Sequence, residues 1–169
     1  VVDTKNFAVQ TGVRTFDAAA YLRRSGADPV MVRHLFRTDY ETTVALAKAE
    51  ARSEFYDGGL IISTCPELIS NGQVIAAQVA DSLLRIENVR MSIVVFQLTE
   101  DTVGISARST GELNVQVIME AFGGGGHQNV AGAQVKGGNV EDIKKKAIEI
   151  AQKYIEEYDQ DESNLTAGR

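Results

Sequence analysis

The stretch "AFGGGGHQNVAGAQ" (residues 121–134) is the most informative segment of this chain of 169 residues. Four consecutive glycines cost conformational entropy when they become ordered, so a folded protein seldom carries such a run without a reason. One glycine is enough to end a helix. Four leave one face of the backbone without Cβ atoms, and their N–H groups can form an anion-binding nest. The run predicts that a ligand lies directly on the backbone, and the alternative is a plain helix cap and turn.

His127 follows the glycines and is one of two histidines in the chain. At this position an imidazole can hydrogen-bond a phosphate or stack on a base, and it can be cationic near neutral pH. The run is not a P-loop, because no Gly-Lys-Ser/Thr follows it, and the G-x-G-x-x-G spacing of dinucleotide sites does not fit. We expect His127 to contact a ligand, and the alternative is an ordinary surface histidine.

Two further segments carry candidate chemistry. In "VGISARS" (103–109), read as a strand, Ser106 and Arg108 lie on the same face. Arginine commonly binds phosphate as a fork, although an exposed arginine at a strand end is the alternative. In "VVDTKNF" (1–7), Asp3 follows an apolar strand, and its carboxylate suits Mn²⁺ or Mg²⁺. One carboxylate cannot hold a metal alone, so the residues by themselves indicate only a phosphorylated ligand.

Composition limits the classes of partner. The net charge of −6 and the pI near 5.0 argue against a wide basic face, so we expect no binding to long duplex nucleic acid. The single cysteine, Cys65, excludes an intrachain disulfide and fits a reducing cytoplasm. No apolar stretch is long enough to span a bilayer. The chain begins without methionine, and we expect it to be a fragment of a longer protein.

The order of predicted elements indicates an α/β domain that has a mixed sheet with flanking helices. A central hairpin, "MSIVVFQL" (91–98) with "VGISARS", lies between helical segments. We expect three regions. Residues 1–57 form a short strand and a helical linker, residues 58–158 form the α/β domain, and the polar residues 159–169 form a disordered tail.

Several of these segments match a known family. "GGGGHQNVAGAQ" (123–134) resembles the glycine-glycine-glycine-histidine signature of the DHH-associated domain, the C-terminal half of the DHH phosphoesterases. "ISARS" (105–109) resembles the serine-x-arginine strand before it, and "VVDTKNF" resembles the last conserved segment of the DHH catalytic half. Residues 3–28 resemble most closely the membrane-anchored cyclic-di-AMP phosphodiesterases, which carry a degenerate GGDEF domain ahead of the DHH half.

The resemblance implies roles for individual residues. Asp3 is one ligand of a two-manganese centre whose other ligands are absent from this chain. Arg108 contacts a substrate phosphate, and Ser106 and Ser109 are further candidates for the same pocket. The phosphate and nucleoside are held by His127 together with Gly123, Gly124, Gly125 and Gly126.

The resemblance also implies a function for the parent protein. We expect a membrane-anchored phosphodiesterase that hydrolyses cyclic-di-AMP to the linear dinucleotide, with this part in the cytoplasm and inactive alone. The expected partners are a cyclic dinucleotide or short oligonucleotide, the missing DHH half and, in a homodimer, a second copy of the chain. The alternatives are an oligoribonuclease or bisphosphonucleotide phosphatase of the same family, or a noncatalytic module for nucleic-acid binding or dimerisation.

Overall fold

The computed structural model describes Phe7 and residues 11–167. The chain forms two compact units, residues 1–39 and residues 40–169. The first unit contains two helices, α1 (Val13–Arg24) and α2 (Pro29–His34). Neither helix has a buried residue, so the described part of this unit has no hydrophobic core of its own.

The second unit is a six-stranded sheet with helices on both faces. Its elements are α3 (Tyr40–Ala51), β1 (Glu54–Tyr56), β2 (Leu60–Cys65), α4 (Gly72–Leu83), β3 (Met91–Thr99), β4 (Thr102–Ser109), α5 (Val115–Glu120), β5 (Gly125–His127), β6 (Val130–Lys136) and α6 (Val140–Ala167). The strand order is β1-β2-β3-β4-β6-β5, in which β2 and β3 are parallel and the other neighbours are antiparallel. The predicted mixed sheet with flanking helices is therefore confirmed.

Two hydrophobic clusters hold the layers together. On one face of the sheet, α5 and α6 pack on strand residues that include Ile93, Val103 and Ile105. On the other face, Val79 of α4 and Val94 of β3 belong to a second cluster, which also contains a residue of α3. Each fully buried aliphatic side chain contributes about 1.5–3 kcal/mol relative to its exposed state. The second cluster lies at the β2–β3 side of the sheet, and β6 and β5 border an open cavity on that face.

The β3–β4 hairpin sets the register on which the candidate site depends. The strands are joined by a two-residue turn, Glu100 and Asp101, and an irregularity between Gln97 and Thr99 shifts the pairing near the turn. Beyond it the strands pair without interruption back to Met91. Residues two apart on a strand point to the same face. The odd-numbered residues of β4 therefore enter the core with α5 and α6, and the even-numbered residues face α4.

The compact units divide the chain at a different place from the expected regions. We expected a boundary after residue 57, whereas the compact units divide between Asp39 and Tyr40. The reason is that α3 packs with α4, and Ala49 is buried in their common cluster. β1 was expected to be the end of a helix, and it is a short edge strand paired with β2.

The expected disordered tail differs as well, because residues 159–167 continue α6. Asp159 makes two hydrogen bonds to the guanidinium of Arg90, at 2.9 and 3.2 Å. This ion pair anchors the helix one turn beyond its last core residues, and the Oγ of Ser163 donates to the carbonyl of Asp159 at 2.7 Å. Among the helices described, none combines the length and the apolar character needed to cross a membrane.

Candidate functional site

The glycine run and Arg108 border one open cavity of about 640 Å³, which we call the trough. Its floor is the face of β4, β6 and β5 that points away from α5 and α6. One wall is α4, which contributes Gln73 and Ala77. A volume of this size is typical of small-molecule clefts.

The middle of the trough floor is nearly free of side chains because of strand register. Ser106 pairs with Gly132, and Gly132 in turn pairs with Gly125. Directly paired residues on neighbouring strands share a face of the sheet. One row across three strands therefore consists of a serine and two glycines, and a ligand can lie against the backbone along this row.

Phe96 closes one end of the trough. It pairs with Gly104 across the hairpin, and a Cβ at Gly104 would lie 2.3 Å from the Phe96 Cζ. The ring therefore lies directly over the glycine, and any larger residue at position 104 would displace it. Gly104 keeps Phe96 flat against the sheet, with only 3% of the residue exposed.

The four glycines have different roles. Gly123 ends α5 in the left-handed conformation, at φ 73°, and its N–H donates to the carbonyl of Glu120 at 2.9 Å. A Cβ at Gly124 would lie 2.2 Å from the carbonyl oxygen of Gly132. A Cβ at Gly126 would likewise be only 2.4 Å from a backbone oxygen of β6. These three glycines are required by the chain itself.

Gly125 is the exception in the run. A Cβ at this position would meet no atom within 4 Å, and its φ lies outside the left-handed range. It lines the trough and faces the same side as Gly132 and Ser106. We expected all four glycines to contact a ligand. All four line the trough, and their contact with a ligand stays a prediction.

Arg108 is held rigidly at the other end of the trough. Its Nε donates to Oδ1 of Asp81 at 3.0 Å, and its Nη1 donates to Oγ of Ser106 at 3.1 Å and to the carbonyl of Ala107 at 2.9 Å. The Arg108 side chain is 12% exposed, and that of Asp81 is 39% exposed. Charge-assisted hydrogen bonds of this kind fix a guanidinium in one orientation. Ser106 and Arg108 are thus brought together, as their spacing on β4 predicts.

Two predicted residues do not line the trough. Ser109 is buried on the opposite face of β4, where its Oγ donates to the carbonyl of Leu113 at 2.6 Å and accepts from the N–H of Gly111 at 3.2 Å. It stabilises the β4–α5 loop and does not line the trough. His127 ends β5 and is exposed beside the trough, outside the residues that line it.

Three residues at the trough were not predicted from the sequence, namely Asp81, Gln73 and Phe96. Gln73, Ala77 and Asp81 are four residues apart along α4 and therefore share one stripe of the helix. The four-residue spacing can be read from the sequence. The sequence does not show, however, that this stripe of α4 faces the even-numbered residues of β4.

The expected metal ligand, Asp3, lies outside the described residues. Among Phe7 and residues 11–167, no group of three or more histidine, cysteine, aspartate or glutamate side chains is arranged to hold a metal ion. The expected role of Asp3 in a manganese centre of the parent protein stays a prediction.

Comparison with known proteins agrees with this architecture. Residues 57–153 match the DHHA1 domain family. The chain is 44% identical over 154 residues to the cyclic-di-AMP phosphodiesterase PdeA of Listeria monocytogenes, covering 91% of this chain and 23% of that protein. It is 45% identical over 156 residues to the cyclic-di-AMP phosphodiesterase GdpP of Geobacillus thermodenitrificans, covering 92% of this chain and 24% of that protein.

A solved structure shows the same fold. The crystal structure of an exopolyphosphatase-related protein from Bacteroides fragilis superposes with a TM-score of 0.76 at 20% identity, covering 93% of this chain and 47% of that one. The chain spans about a quarter of the length of the two phosphodiesterases that it matches. Since the family match covers more than half of the chain and includes the glycine run and Arg108, the chain belongs to the DHHA1 domain family, as its glycine-histidine signature predicted.

Proposed function

We propose that this chain is the substrate-binding half of a phosphodiesterase that hydrolyses cyclic-di-AMP to the linear dinucleotide. The single observation that carries the proposal is the immobilised Arg108 at one end of the trough, next to the row of Ser106, Gly132 and Gly125. Relatives that are 44% and 45% identical and bear the name cyclic-di-AMP phosphodiesterase support the choice of substrate.

The geometry suits a nucleotide in extended contact with the sheet. Arg108 donates to a phosphate oxygen, and the sugar-phosphate backbone lies over Ser106 and Gly125, where it meets only the small side chain of the serine. His127 lies at the rim, where its ring reaches the part of a ligand that extends beyond the trough. Because Arg108 is already fixed by Asp81, little side-chain entropy is lost when it binds a phosphate. Positioning of this kind contributes substantially to catalysis.

The chemical step belongs to the rest of the parent protein. We propose a manganese-dependent reaction in which Asp3 is one metal ligand, in keeping with the resemblance of residues 1–7 to the DHH catalytic half. The described residues contribute binding and orientation, and we expect this chain alone to be inactive. We also propose that the parent is anchored in the membrane with this domain on the cytoplasmic side, following the resemblance of residues 3–28.

Binding by the chain tests the proposal. Loss of a hydrogen bond to a charged group costs about 1.5–3 kcal/mol, so Arg108→Ala should raise the Kd for cyclic-di-AMP by roughly tenfold or more in calorimetry. Arg85→Ala provides the matched control, because Arg85 is an exposed arginine that does not line the trough. An unchanged Kd in Arg108→Ala would remove this residue from the site, and tighter binding of short oligoribonucleotides would favour the oligoribonuclease alternative.

A further inference from the structure

We infer that the trough selects a phosphodiester over a phosphate monoester, and that Asp81 determines this selectivity by countering the charge of Arg108. The inference rests on the proposed function, since it concerns the ligand of the same site. It adds the charge state of the phosphate that the site prefers, and it names Asp81 as the residue that determines this preference.

The trough contains few charged groups. Among the described residues that line the trough, Arg108 is the only charged one, and the others are glycine, small, amide or apolar residues. Its guanidinium lies 3.0 Å from the carboxylate of Asp81. The negative charge of Asp81 offsets part of the positive charge that Arg108 presents to the trough. It therefore weakens the attraction of the trough for a polyanion, because this attraction grows with the charge of each partner.

Only part of the hydrogen-bonding capacity of Arg108 is left for a ligand. A guanidinium has five N–H groups. The one on Nε is used by Asp81, and Nη1 donates to both Ser106 and the carbonyl of Ala107. Within the described residues no hydrogen bond uses Nη2, which therefore retains donors for a ligand. A contact through Nη2 alone suits one non-bridging oxygen, whereas the bidentate fork typical of phosphate-binding arginines is already occupied.

The two classes of phosphate ester differ in charge. A phosphodiester carries one negative charge, whereas a phosphate monoester carries about −1.5 to −2 near neutral pH. Hydrolysis of one diester in a cyclic dinucleotide breaks a P–O bond, adds water, and leaves a hydroxyl and a monoester. The linear product is therefore more negative than the substrate. The Asp81 carboxylate repels the monoester more strongly than the diester, which favours the substrate and the release of the product.

Asp81→Asn separates charge from orientation, because the amide oxygen still accepts a hydrogen bond from Arg108 Nε. The affinities of the labelled chain for cyclic-di-AMP, the linear dinucleotide with a 5′-phosphate, and adenosine 3′,5′-bisphosphate are measured by NMR titration. We expect the wild-type chain to prefer the cyclic diester. In Asp81→Asn all three should bind more tightly, but the two monoesters should gain about three- to fivefold more than the diester, because Coulomb energy scales with ligand charge.

Two further variants distinguish charge from structure. Ser106→Ala removes an acceptor of Nη1 without changing charge, so it should weaken all three ligands by similar factors. Glu156→Gln removes an exposed carboxylate on α6, in the layer on the opposite face of the sheet, and should change none of them. A shift of less than twofold in the ratio of monoester to diester affinity in Asp81→Asn would overturn the inference.

If Asp81→Asn does not fold, the affinities of the wild-type chain for the three ligands still test the inference. Tighter binding of the bisphosphate than of the cyclic diester would overturn the inference while leaving the trough as a nucleotide site. A chain that binds none of the three ligands would contradict the proposed function, and the inference with it.

Discussion

Replacing neighbouring glycines of the run by alanine should have opposite effects, because Gly124 is packed against the protein and Gly125 is open to the trough. At Gly124 the added Cβ would lie 2.2 Å from the carbonyl oxygen of Gly132 and 2.5 Å from the Cβ of Ala133. The first contact is at least 1.2 Å shorter than an ordinary van der Waals contact of 3.4–4 Å. Rotation of a side chain cannot relieve a clash with backbone, so β5 must move away from β6.

The magnitude follows from the cost of forced overpacking, which is typically about 1–3 kcal/mol. For a chain of this size each kcal/mol lowers the Tm by about 2–4 °C, so Gly124→Ala should melt about 2–12 °C below the wild-type chain. At Gly125 no atom lies within 4 Å of the added Cβ. We therefore expect Gly125→Ala to remain within about 0.5 kcal/mol of the wild type. Its methyl group projects into the trough and should weaken cyclic-di-AMP binding by about tenfold.

Thermal denaturation followed by circular dichroism measures the first effect, and calorimetric titration with cyclic-di-AMP measures the second. Gly125→Ala serves as the control for stability, since the two variants differ from the wild type by the same single methyl group. Our interpretation of the loop fails if Gly125→Ala is destabilised as much as Gly124→Ala. It fails equally if Gly125→Ala binds the ligand as the wild type does.

Two ion pairs lead to further predictions. The hydrogen bonds from Arg52 lower the pKa of Glu67 from 4.5 to about 2, so the pair stabilises the folded state above pH 4.5 and this contribution is lost as the pH falls towards 2. Both side chains are partly exposed, so the Tm of Arg52→Ala should fall less steeply over this range than that of the wild type, by an amount equivalent to about 0.2–1 kcal/mol. Asp159→Ala should speed amide hydrogen exchange in the last two turns of α6, and Asp161→Ala should not; equal rates in both variants would contradict the anchoring role of Arg90.

The long elements could be predicted from the sequence because their local signals agree with their packing. β2 is apolar over most of its length and is buried throughout. α4 carries Ile75, Val79 and Leu83 at helical spacing, and all three are buried. The short strands β1 and β5 could not be predicted, because each has three residues and exists only through pairing with a longer neighbour.

The site could be predicted in part for the same reason. Ser106 and Arg108 share a strand, so a period of two brings them together, and the glycine run was conspicuous by itself. The same reasoning did not identify Asp81, whose contact with Arg108 joins residues 27 positions apart on different elements. It also assigned one role to all four glycines, because only tertiary contacts show that Gly124 and Gly126 are needed for the approach of β6.

β4 belongs to two surfaces at once, and this has a consequence for the thermodynamics of binding. Val103, Ile105 and Ala107 are packed in the core, while Ser106 and Arg108 on the same backbone face the trough. A fluctuation that moved the floor would have to displace these core side chains, and close-packed interiors resist such displacement. The β4 part of the floor therefore resists deformation in the free protein. A nucleotide that binds there loses conformational entropy, whereas the protein loses almost none. The entropic cost of binding therefore comes mainly from the ligand.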